Sequence, residues 1–266
     1  MPTAKVDGIN LAYNVKGNGP PLILIIGFAS AQNLWYSTVR AFSTSYRVVT
    51  FDNRGFGKSD KPPGPYTTKM LASDTLGLMD HLGIKKAHIL GGSLGGMAAQ
   101  EIAIAHPERL DRLILSATSA GGKRLNDQFA GMIRSSYPAW NPAKPEDLTP
   151  ARLQKFMVAT ASLSFDGIIK TFSMPLVKLQ ASRGKVEVPV GQLQAMLSHD
   201  ALDRLGSIQA PTLVLTGQND QLMPPGSAEE LASRIRGAKL VVIEGAAHAL
   251  SGGRWNKEVL SFLGTR

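Results

Sequence analysis

Aliphatic runs alternate with helix-like segments along most of the chain, and this alternation restricts the fold more than any other feature of the sequence. Residues 22–26 and 46–51 are rich in aliphatic and β-branched residues, as is typical of strands buried on both faces. Apolar spacing predicts helices over 35–42 and 70–82. Strands that alternate with helices form mostly parallel sheets covered on both faces. The sequence therefore predicts an α/β fold, with further strands at 85–90, 110–118, 211–217 and 239–245.

Two parts of the chain depart from this alternation. Residues 3–16 place the turn signal Asp7-Gly8 between two short strand-like pieces, which predicts an antiparallel hairpin. Residues 121–205 lack strong strand signals and carry several methionines and aromatic residues, which favours a mainly helical insertion over one end of the sheet. We therefore predict a core formed by 1–120 and 206–266 and a helical cap formed by 121–205.

Composition limits the class of protein. The chain has 266 residues, 43% of them hydrophobic and 18% charged, which suits one large globular domain with an insertion. Because cysteine is absent, disulfides, thiolate catalysis and zinc–cysteine sites are excluded. The N-terminal segment MPTAKVDGIN does not resemble a secretory signal, and no apolar run reaches the length of a membrane span. We expect a cytoplasmic protein without membrane insertion.

The formal net charge of +9 raises the question of a phosphate-rich partner. The basic residues are scattered, however, and the longest runs are pairs such as Lys85-Lys86 and Lys123-Arg124. A groove that tracks nucleic acid needs a concentrated basic stripe, often with aromatic residues between the charges. We interpret the charge as a solvated basic surface and expect no nucleic-acid partner.

A glycine-rich segment around Ser93 carries the strongest chemical signal. Gly91-Gly92-Ser93-Leu94-Gly95 fits Gly-x-Ser-x-Gly and lies where a predicted strand must turn sharply into a helix. Small neighbours allow a strained turn that exposes the serine hydroxyl, and the amides of the following helix favour negative charge nearby. A nucleotide loop fits less well, since 91–96 does not match Gly-x-Gly-x-x-Gly and the glycine that a phosphate loop ending at 57–59 requires falls on Asp52.

A serine nucleophile needs a histidine base that is held by a carboxylate. His248 follows the last predicted strand, so that a loop could bring its imidazole to the carboxyl end of the sheet. We expect packing or surface roles for the histidines predicted inside a strand, on outer helices or in the insertion, which are His88, His81, His106 and His199.

The matching acid is predicted to be Asp220, which ends the strand before that of His248. The chain order Ser93, Asp220, His248 is the order expected for a nucleophile elbow of this kind. Asp200 and Asp203 precede that strand and suit helix ends or the surface. Asp52 lies in a glycine-containing segment that suits a structural turn near the site.

Six segments at both ends of the chain form a joint pattern: LIIGFAS, FDNRGFGKSD, GGSLGG, HPERLDRLIL, PTLVLTGQND and GAAHAL. Together they resemble the α/β-hydrolase superfamily, most closely its esterases, enol-lactonases and cofactor-free peroxidases with a helical cap. The resemblance implies the α/β-hydrolase fold, with a mostly parallel central sheet, helices on both faces and an inserted cap.

The resemblance also assigns an oxyanion hole. Carried over by position, its two backbone N–H donors are those of Phe28 and Leu94. The family often has His-Gly before the first donor, whereas this chain has Ile26-Gly27. The hydrogen bonds of that histidine must therefore be replaced or absent.

The resulting functional expectation is a serine hydrolase that cleaves a carboxylic ester or lactone through an acyl-enzyme, without metal or organic cofactor. Enol-lactones and acyl-homoserine lactones are candidate substrates. We expect Trp35, Met132 and Met157 to contribute to an adaptable apolar pocket.

Alternatives with the same fold remain open. Perhydrolysis differs only in that hydrogen peroxide replaces water, and a receptor for a small ligand could retain the same residues. Dehalogenases and epoxide hydrolases use an aspartate nucleophile, so Ser93 argues against them. Carbon–carbon bond hydrolases often carry asparagine and tryptophan where this chain has Gly92 and Ala249, so these two positions argue against that activity.

Overall fold

An eight-stranded sheet organises the computed structural model, which describes residues 1–122, 125, 189–248 and 252–264. The strands are β1 (Thr3–Val6), β2 (Ile9–Lys16), β3 (Pro21–Ile25), β4 (Arg47–Phe51), β5 (Ala87–Gly92), β6 (Leu110–Ser116), β7 (Thr212–Gly217) and β8 (Lys239–Ile243). Their spatial order is β1-β2-β4-β3-β5-β6-β7-β8. The pairs β1/β2 and β2/β4 are antiparallel, and all the others are parallel.

The antiparallel edge begins with the predicted hairpin. Asp7 and Gly8 both have positive φ, 45° and 82°, as a two-residue type I′ turn requires. Val6 and Ile9 pair directly across this turn. A glycine at the second position allows the turn to match the twist of the strands, so the local sequence determines the start of the sheet.

Helices cover both faces of the sheet. Ile23 and Ile25 of β3 belong to one core cluster, while Leu22 and Leu24 belong to the other, because successive side chains of a strand point to opposite faces. No helix of the described residues is long and apolar enough to cross a membrane. The helices are α1 (Tyr36–Phe42), α2 (Thr68–His81), α3 (Leu94–Ala105), α4 (Val190–Ser198), α5 (Pro225–Arg234) and α6 (Gly253–Gly264), with 3-10 turns at Gln32–Trp35, Pro107–Arg109 and Leu202–Ser207.

The predicted fold class is confirmed: the sheet is mostly parallel and has helices on both faces. The main difference concerns β5, which was predicted over 85–90 but spans Ala87–Gly92. Gly91 and Gly92 remain in the sheet because they pair with Leu115 and Ser116 of β6. The strand therefore continues to the residue before Ser93.

The two ends of the predicted cap meet at the carboxyl edge of the sheet. Gly121 and Asp200 form an isolated antiparallel bridge, and the Ala201 N–H donates to the Ala120 carbonyl at 2.9 Å. The first helix after residue 188 is α4, and it leads back to the core. Most of the predicted cap, residues 121–205, lies outside the described residues, so its helical character stays a prediction.

Candidate active site

Ser93 occupies a sharp turn between β5 and α3. Its φ of 52° and ψ of −120° place a non-glycine residue in a conformation that L-residues rarely adopt. A Cβ on Gly91 would lie 2.4 Å from the Gly95 carbonyl oxygen, and one on Gly95 would lie 2.2 Å from the Ile25 carbonyl oxygen. The two glycines of the pattern therefore allow the first turn of α3 to pack against the ends of β3 and β5.

Neighbouring groups fix the backbone of Ser93. Its N–H donates to the Ser116 carbonyl at 2.9 Å, and its carbonyl accepts a hydrogen bond from Thr118 Oγ1 at 2.7 Å. These bonds connect the turn to the end of β6 and hold the strained conformation in place. Only 7% of Ser93 is exposed, so the serine lies in a sheltered position at the carboxyl edge of the sheet.

Asp220 and His248 contact one another beyond the ends of β7 and β8. The His248 Nδ1 lies 2.7 Å from Asp220 Oδ2. The other carboxylate oxygen, Oδ1, accepts hydrogen bonds from the backbone N–H groups of Leu222 and Met223 at 2.9 and 2.8 Å. Asp220 is buried, and a buried carboxylate with these partners has a fixed orientation.

Backbone hydrogen bonds join the two loops that carry this pair. Asn219 N–H donates to the Ala246 carbonyl at 2.8 Å, and Gln218 N–H donates to the Ile243 carbonyl at 2.9 Å. In return, the Gly245 N–H donates to Gln218 Oε1 at 3.0 Å. The relative position of Asp220 and His248 is therefore set by main-chain contacts as well as by their own hydrogen bond.

The competing carboxylates have other surroundings. Asp52 Oδ1 accepts the Gln32 N–H at 2.7 Å and Oδ2 accepts the Lys58 N–H at 2.9 Å, so Asp52 organises the turn after β4. Asp200 and Asp203 are exposed. Of the aspartates considered from the sequence, Asp220 is the one in contact with His248.

The other two buried histidines, His88 and His199, pack away from the Asp220–His248 pair. Burial lowers the pKa of His88, which lies in β5 with Nδ1 3.4 Å from Asp111. His199 Nδ1 lies 2.9 Å from Thr68 Oγ1 and 3.5 Å from Glu101. Both positions agree with the packing roles expected from the sequence. No group of three or more potential metal ligands occurs among the described residues.

The loop after β3 carries the predicted oxyanion donor Phe28. The first residue of α3 is Leu94, and the opening N–H groups of a helix have no acceptor within that helix. The Ile26 side chain packs in the core cluster with Trp35, while its carbonyl accepts a hydrogen bond from Asn53 Nδ2 at 2.8 Å. The loop that lacks the family's histidine is thus held partly by an asparagine from the next strand end.

The predicted pocket residues have different outcomes. Trp35 is fully buried in the core cluster that contains Phe42 and Trp255. We therefore assign it to the core and not to a surface that contacts substrate. Met132 and Met157 lie outside the described residues.

Similarity to known proteins agrees with this architecture. The family model for the alpha/beta hydrolase fold matches residues 20–252, which is most of the chain. The chain belongs to the α/β-hydrolase family. It is an enzyme of the α/β-hydrolase class.

Three relatives of this α/β hydrolase cover almost the whole chain. A hydrolase structure from Pseudomonas aeruginosa is 30% identical, covers 99% of this chain and 98% of that one, and has a TM-score of 0.81. The enol-lactonase structure from Burkholderia xenovorans is 28% identical, covers 99% and 100%, and has a TM-score of 0.79. BpoC of Mycobacterium tuberculosis, named provisionally as a non-heme bromoperoxidase, is 30% identical over 90% of this chain and 91% of its own.

Three polar residues beside the predicted oxyanion loop of this α/β hydrolase were not predicted from the sequence. They are Ser30, Asn53 and Gln192, whose side chains bond to the backbone of residues 26–29. Gln192 lies 163 positions after Ala29 in the chain, so no local motif joins the two.

Proposed function

We propose that the protein is a serine hydrolase that cleaves a carboxylic ester or lactone through an acyl-enzyme, with Ser93, His248 and Asp220 as its catalytic triad. The observation that carries this proposal is the 2.7 Å contact between His248 and the buried Asp220, at the same sheet edge as the strained Ser93 turn. A nucleophile on a strand-to-helix turn and a histidine oriented by a carboxylate are the parts that acyl transfer needs.

In the first half of the reaction, the Ser93 hydroxyl attacks the substrate carbonyl carbon. With Nδ1–H donated to Asp220, His248 has its Nε2 lone pair available to take the serine proton. The N–H groups of Phe28 and Leu94 stabilise the negative oxygen of the tetrahedral intermediate. The carbon–oxygen bond to the leaving group then breaks, and His248 returns the proton to that oxygen, so that an acyl-serine remains.

In the second half, a water molecule attacks the carbonyl carbon of the acyl-serine while His248 takes a proton from that water. The second tetrahedral intermediate uses the same two N–H donors. When it collapses, the bond to Ser93 breaks, the serine recovers its proton from His248 and the carboxylic acid is released. For a lactone, the leaving alcohol and the acid belong to one molecule, so the ring opens.

The relatives and the composition of the insertion support the proposed substrate class. The Burkholderia relative is an enol-lactonase, which favours a lactone among the candidates. We propose that residues 121–205 form a cap over the site and that Met132 and Met157 contribute an adaptable apolar lining.

Peroxide-dependent chemistry is the second candidate, and the similarity to BpoC favours it. In this reaction hydrogen peroxide replaces water as the nucleophile that attacks the acyl-serine, and the product is a peracid. The same triad and the same oxyanion donors would serve both reactions. The two functions are therefore separated by which nucleophile the acyl-enzyme accepts.

The test is turnover by the purified protein on p-nitrophenyl esters of increasing chain length and on a panel of lactones. The Ser93→Ala variant is assayed beside the wild type, with Ser73→Ala as the matched control, because Ser73 is an exposed serine on α2. If the triad acts as a unit, Ser93→Ala should lower kcat by about 10⁶-fold. The control should keep the wild-type rate.

Other results would support different functions. Peracid formation with acetate and hydrogen peroxide, faster than ester hydrolysis, would favour the peroxide reaction. Tight binding of a lactone with no multiple turnover would favour a receptor. Undiminished hydrolysis by Ser93→Ala would exclude Ser93 as the nucleophile.

A further inference from the structure

The backbone on both sides of the predicted oxyanion donor is held by side chains. Before Gly27, the Ile26 carbonyl accepts from Asn53 Nδ2 at 2.8 Å. After it, the Phe28 carbonyl accepts from Ser30 Oγ at 3.0 Å, and the Ala29 N–H donates to Gln192 Oε1 at 3.0 Å. The Phe28 carbonyl and the Ala29 N–H belong to one peptide group, so this group is fixed at both of its ends.

Gln192 connects this peptide group to a second loop. It is fully buried in α4, and its Nε2 donates to the Arg54 carbonyl at 2.8 Å. Arg54 is itself held by a buried ion pair with Asp74, in which Nε and Nη2 of the guanidinium group each lie 2.5 Å from a carboxylate oxygen. One side-chain amide thus bridges the loops that follow β3 and β4.

The bonded residue Ala29 has an unusual conformation. Its φ is +48°, in the left-handed region that favours glycine. An alanine stays in that region when surrounding contacts hold it there. The hydrogen bond from its N–H to Gln192 is such a contact, and it fixes the chain direction immediately after Phe28.

A buried glutamine can also be a purely structural group with satisfied hydrogen bonds. Two observations indicate a more specific task for Gln192. Both of its bonds go to loops at the carboxyl edge of the sheet, 163 and 138 positions away, and none of them joins it to its own helix. In addition, Ile26 stands where the family often has a histidine, and its apolar side chain cannot donate to the loop.

We propose that Gln192 is a positioning residue that sets the Phe28 N–H of the oxyanion hole by holding the Phe28–Ala29 peptide group. This inference rests on the proposed hydrolase function. Because α4 is the helix that leads the chain from the insertion back into the core, Gln192 also makes the geometry of the hole depend on the position of that helix.

The first test compares Gln192→Met with Gln194→Met. Methionine has nearly the length of glutamine but cannot form either hydrogen bond. Gln194 lies on the same helix and is only partly buried, so the same change there is a matched control. Removing one oxyanion donor typically costs about 10²–10³-fold in kcat, and a donor that is only misplaced should cost less, about 10–100-fold. KM should change little, because the loss concerns the transition state.

A second readout separates the oxyanion hole from general damage. An ester and its thionoester, in which sulfur replaces the carbonyl oxygen, are compared for each variant. Sulfur accepts hydrogen bonds poorly, so an intact hole favours the oxygen ester. The ratio is the kcat for the oxygen ester divided by the kcat for the thionoester. In Gln192→Met this ratio should fall clearly below that of the wild type, and in Gln194→Met it should be unchanged.

Ser30→Ala tests the same peptide group without altering α4. It removes the hydrogen bond to the Phe28 carbonyl and should lower the same ratio, to a smaller extent. If circular dichroism shows that Gln192→Met does not fold, Ser30→Ala provides the test. An unchanged ratio of ester to thionoester kcat in Ser30→Ala then overturns the inference.

Labelling of Ser93 by a fluorophosphonate separates failure of the inference from failure of the proposed function. Suppose that the wild type is labelled and active, and that Gln192→Met and Gln194→Met have the same kcat and the same ratio of ester to thionoester kcat. This result overturns the inference and leaves the proposed function standing. A wild type that is neither labelled nor active overturns the proposed function and the inference with it.

Discussion

Asp220 contacts His248 through one carboxylate oxygen, at 2.7 Å, while its other oxygen accepts the backbone N–H groups of Leu222 and Met223. The carboxylate therefore has two tasks on separate atoms. Oδ2 orients the imidazole, and Oδ1 shapes the loop after β7. A substitution that preserves one task and removes the other can distinguish catalytic from structural effects.

Asp220→Asn should remove the catalytic task and leave the loop intact. The amide oxygen can still accept from Leu222 and Met223, but the amide nitrogen then faces His248 Nδ1 and forces Nε2 to carry the hydrogen. This is the wrong tautomer for a general base, so kcat should fall by about 10⁴-fold. Steady-state kinetics and Tm measure the two effects separately, and Asp203→Asn, at an exposed aspartate, is the control. Near wild-type kcat in Asp220→Asn would exclude the proposed role.

Gly95→Ala should disrupt the serine turn. The new Cβ would lie 2.2 Å from the Ile25 carbonyl oxygen, a distance that only a shift of α3 away from β3 can relieve. Such a shift moves both Leu94 and Ser93, so we expect loss of activity together with a lower Tm. Gly206→Ala is the matched control, because a Cβ there meets nothing within 4 Å and its φ is not positive. The free energy of unfolding of Gly206→Ala should differ from that of the wild type by less than about 1 kcal/mol.

The sequence predicts the sheet and the serine turn well because their signals are local. The runs that form β3 and β4 are apolar over their whole length, and Gly91 and Gly95 are required by contacts within a few residues of Ser93 or with the adjacent strand. Asp220 and His248 could be proposed as partners because each follows a strand of a parallel sheet, and the ends of such strands share one edge.

Other parts of the site could not be predicted, since they depend on side-chain direction or on distant contacts. Trp35 is close in sequence to the predicted oxyanion loop, but the turn Gln32–Trp35 directs its indole into the core. Gln192 is one of several glutamines, and its role appears only when α4 packs against Ala29 and Arg54. Neither feature leaves a periodic or spaced pattern in the sequence.

Glu101 should make the stability of the protein depend on acid pH. It lies in α3 and forms a bidentate ion pair with Arg204 at 2.7 and 2.8 Å. Burial acts to raise the pKa of Glu101, but hydrogen bonds from Arg204 and His199 outweigh it and lower the pKa from 4.5 to about 2. A carboxylate with a lowered folded-state pKa stabilises the fold above its unfolded pKa, and this contribution is lost as pH falls from about 4.5 to about 2.

Glu101→Gln should therefore be less stable than the wild type at neutral pH and should lose less stability on acidification. Since the Arg204 side chain is 37% exposed, solvent screens the ion pair. We therefore expect the free energies of unfolding of the wild type and Glu101→Gln to differ by about 1–2 kcal/mol at neutral pH. Urea unfolding at neutral pH and between about pH 4.5 and about pH 2 measures the free energy of unfolding of both proteins. Groups other than Glu101 titrate in both proteins, so their contribution cancels in the difference. A pH-independent difference would contradict the assignment to Glu101.

Ser116→Ala should destabilise the protein through its contact with the C-terminal helix. The Trp255 Nε1–H donates to Ser116 Oγ at 2.6 Å, and both residues are buried between β6 and α6. Without the hydroxyl, the indole N–H has lost its acceptor, which costs about 1–3 kcal/mol. Trp255→Phe removes the donor, so a double-mutant cycle isolates the hydrogen bond from the loss of indole volume and should give a coupling energy of about 1 kcal/mol by urea unfolding. A coupling energy of zero would show that the two groups act independently.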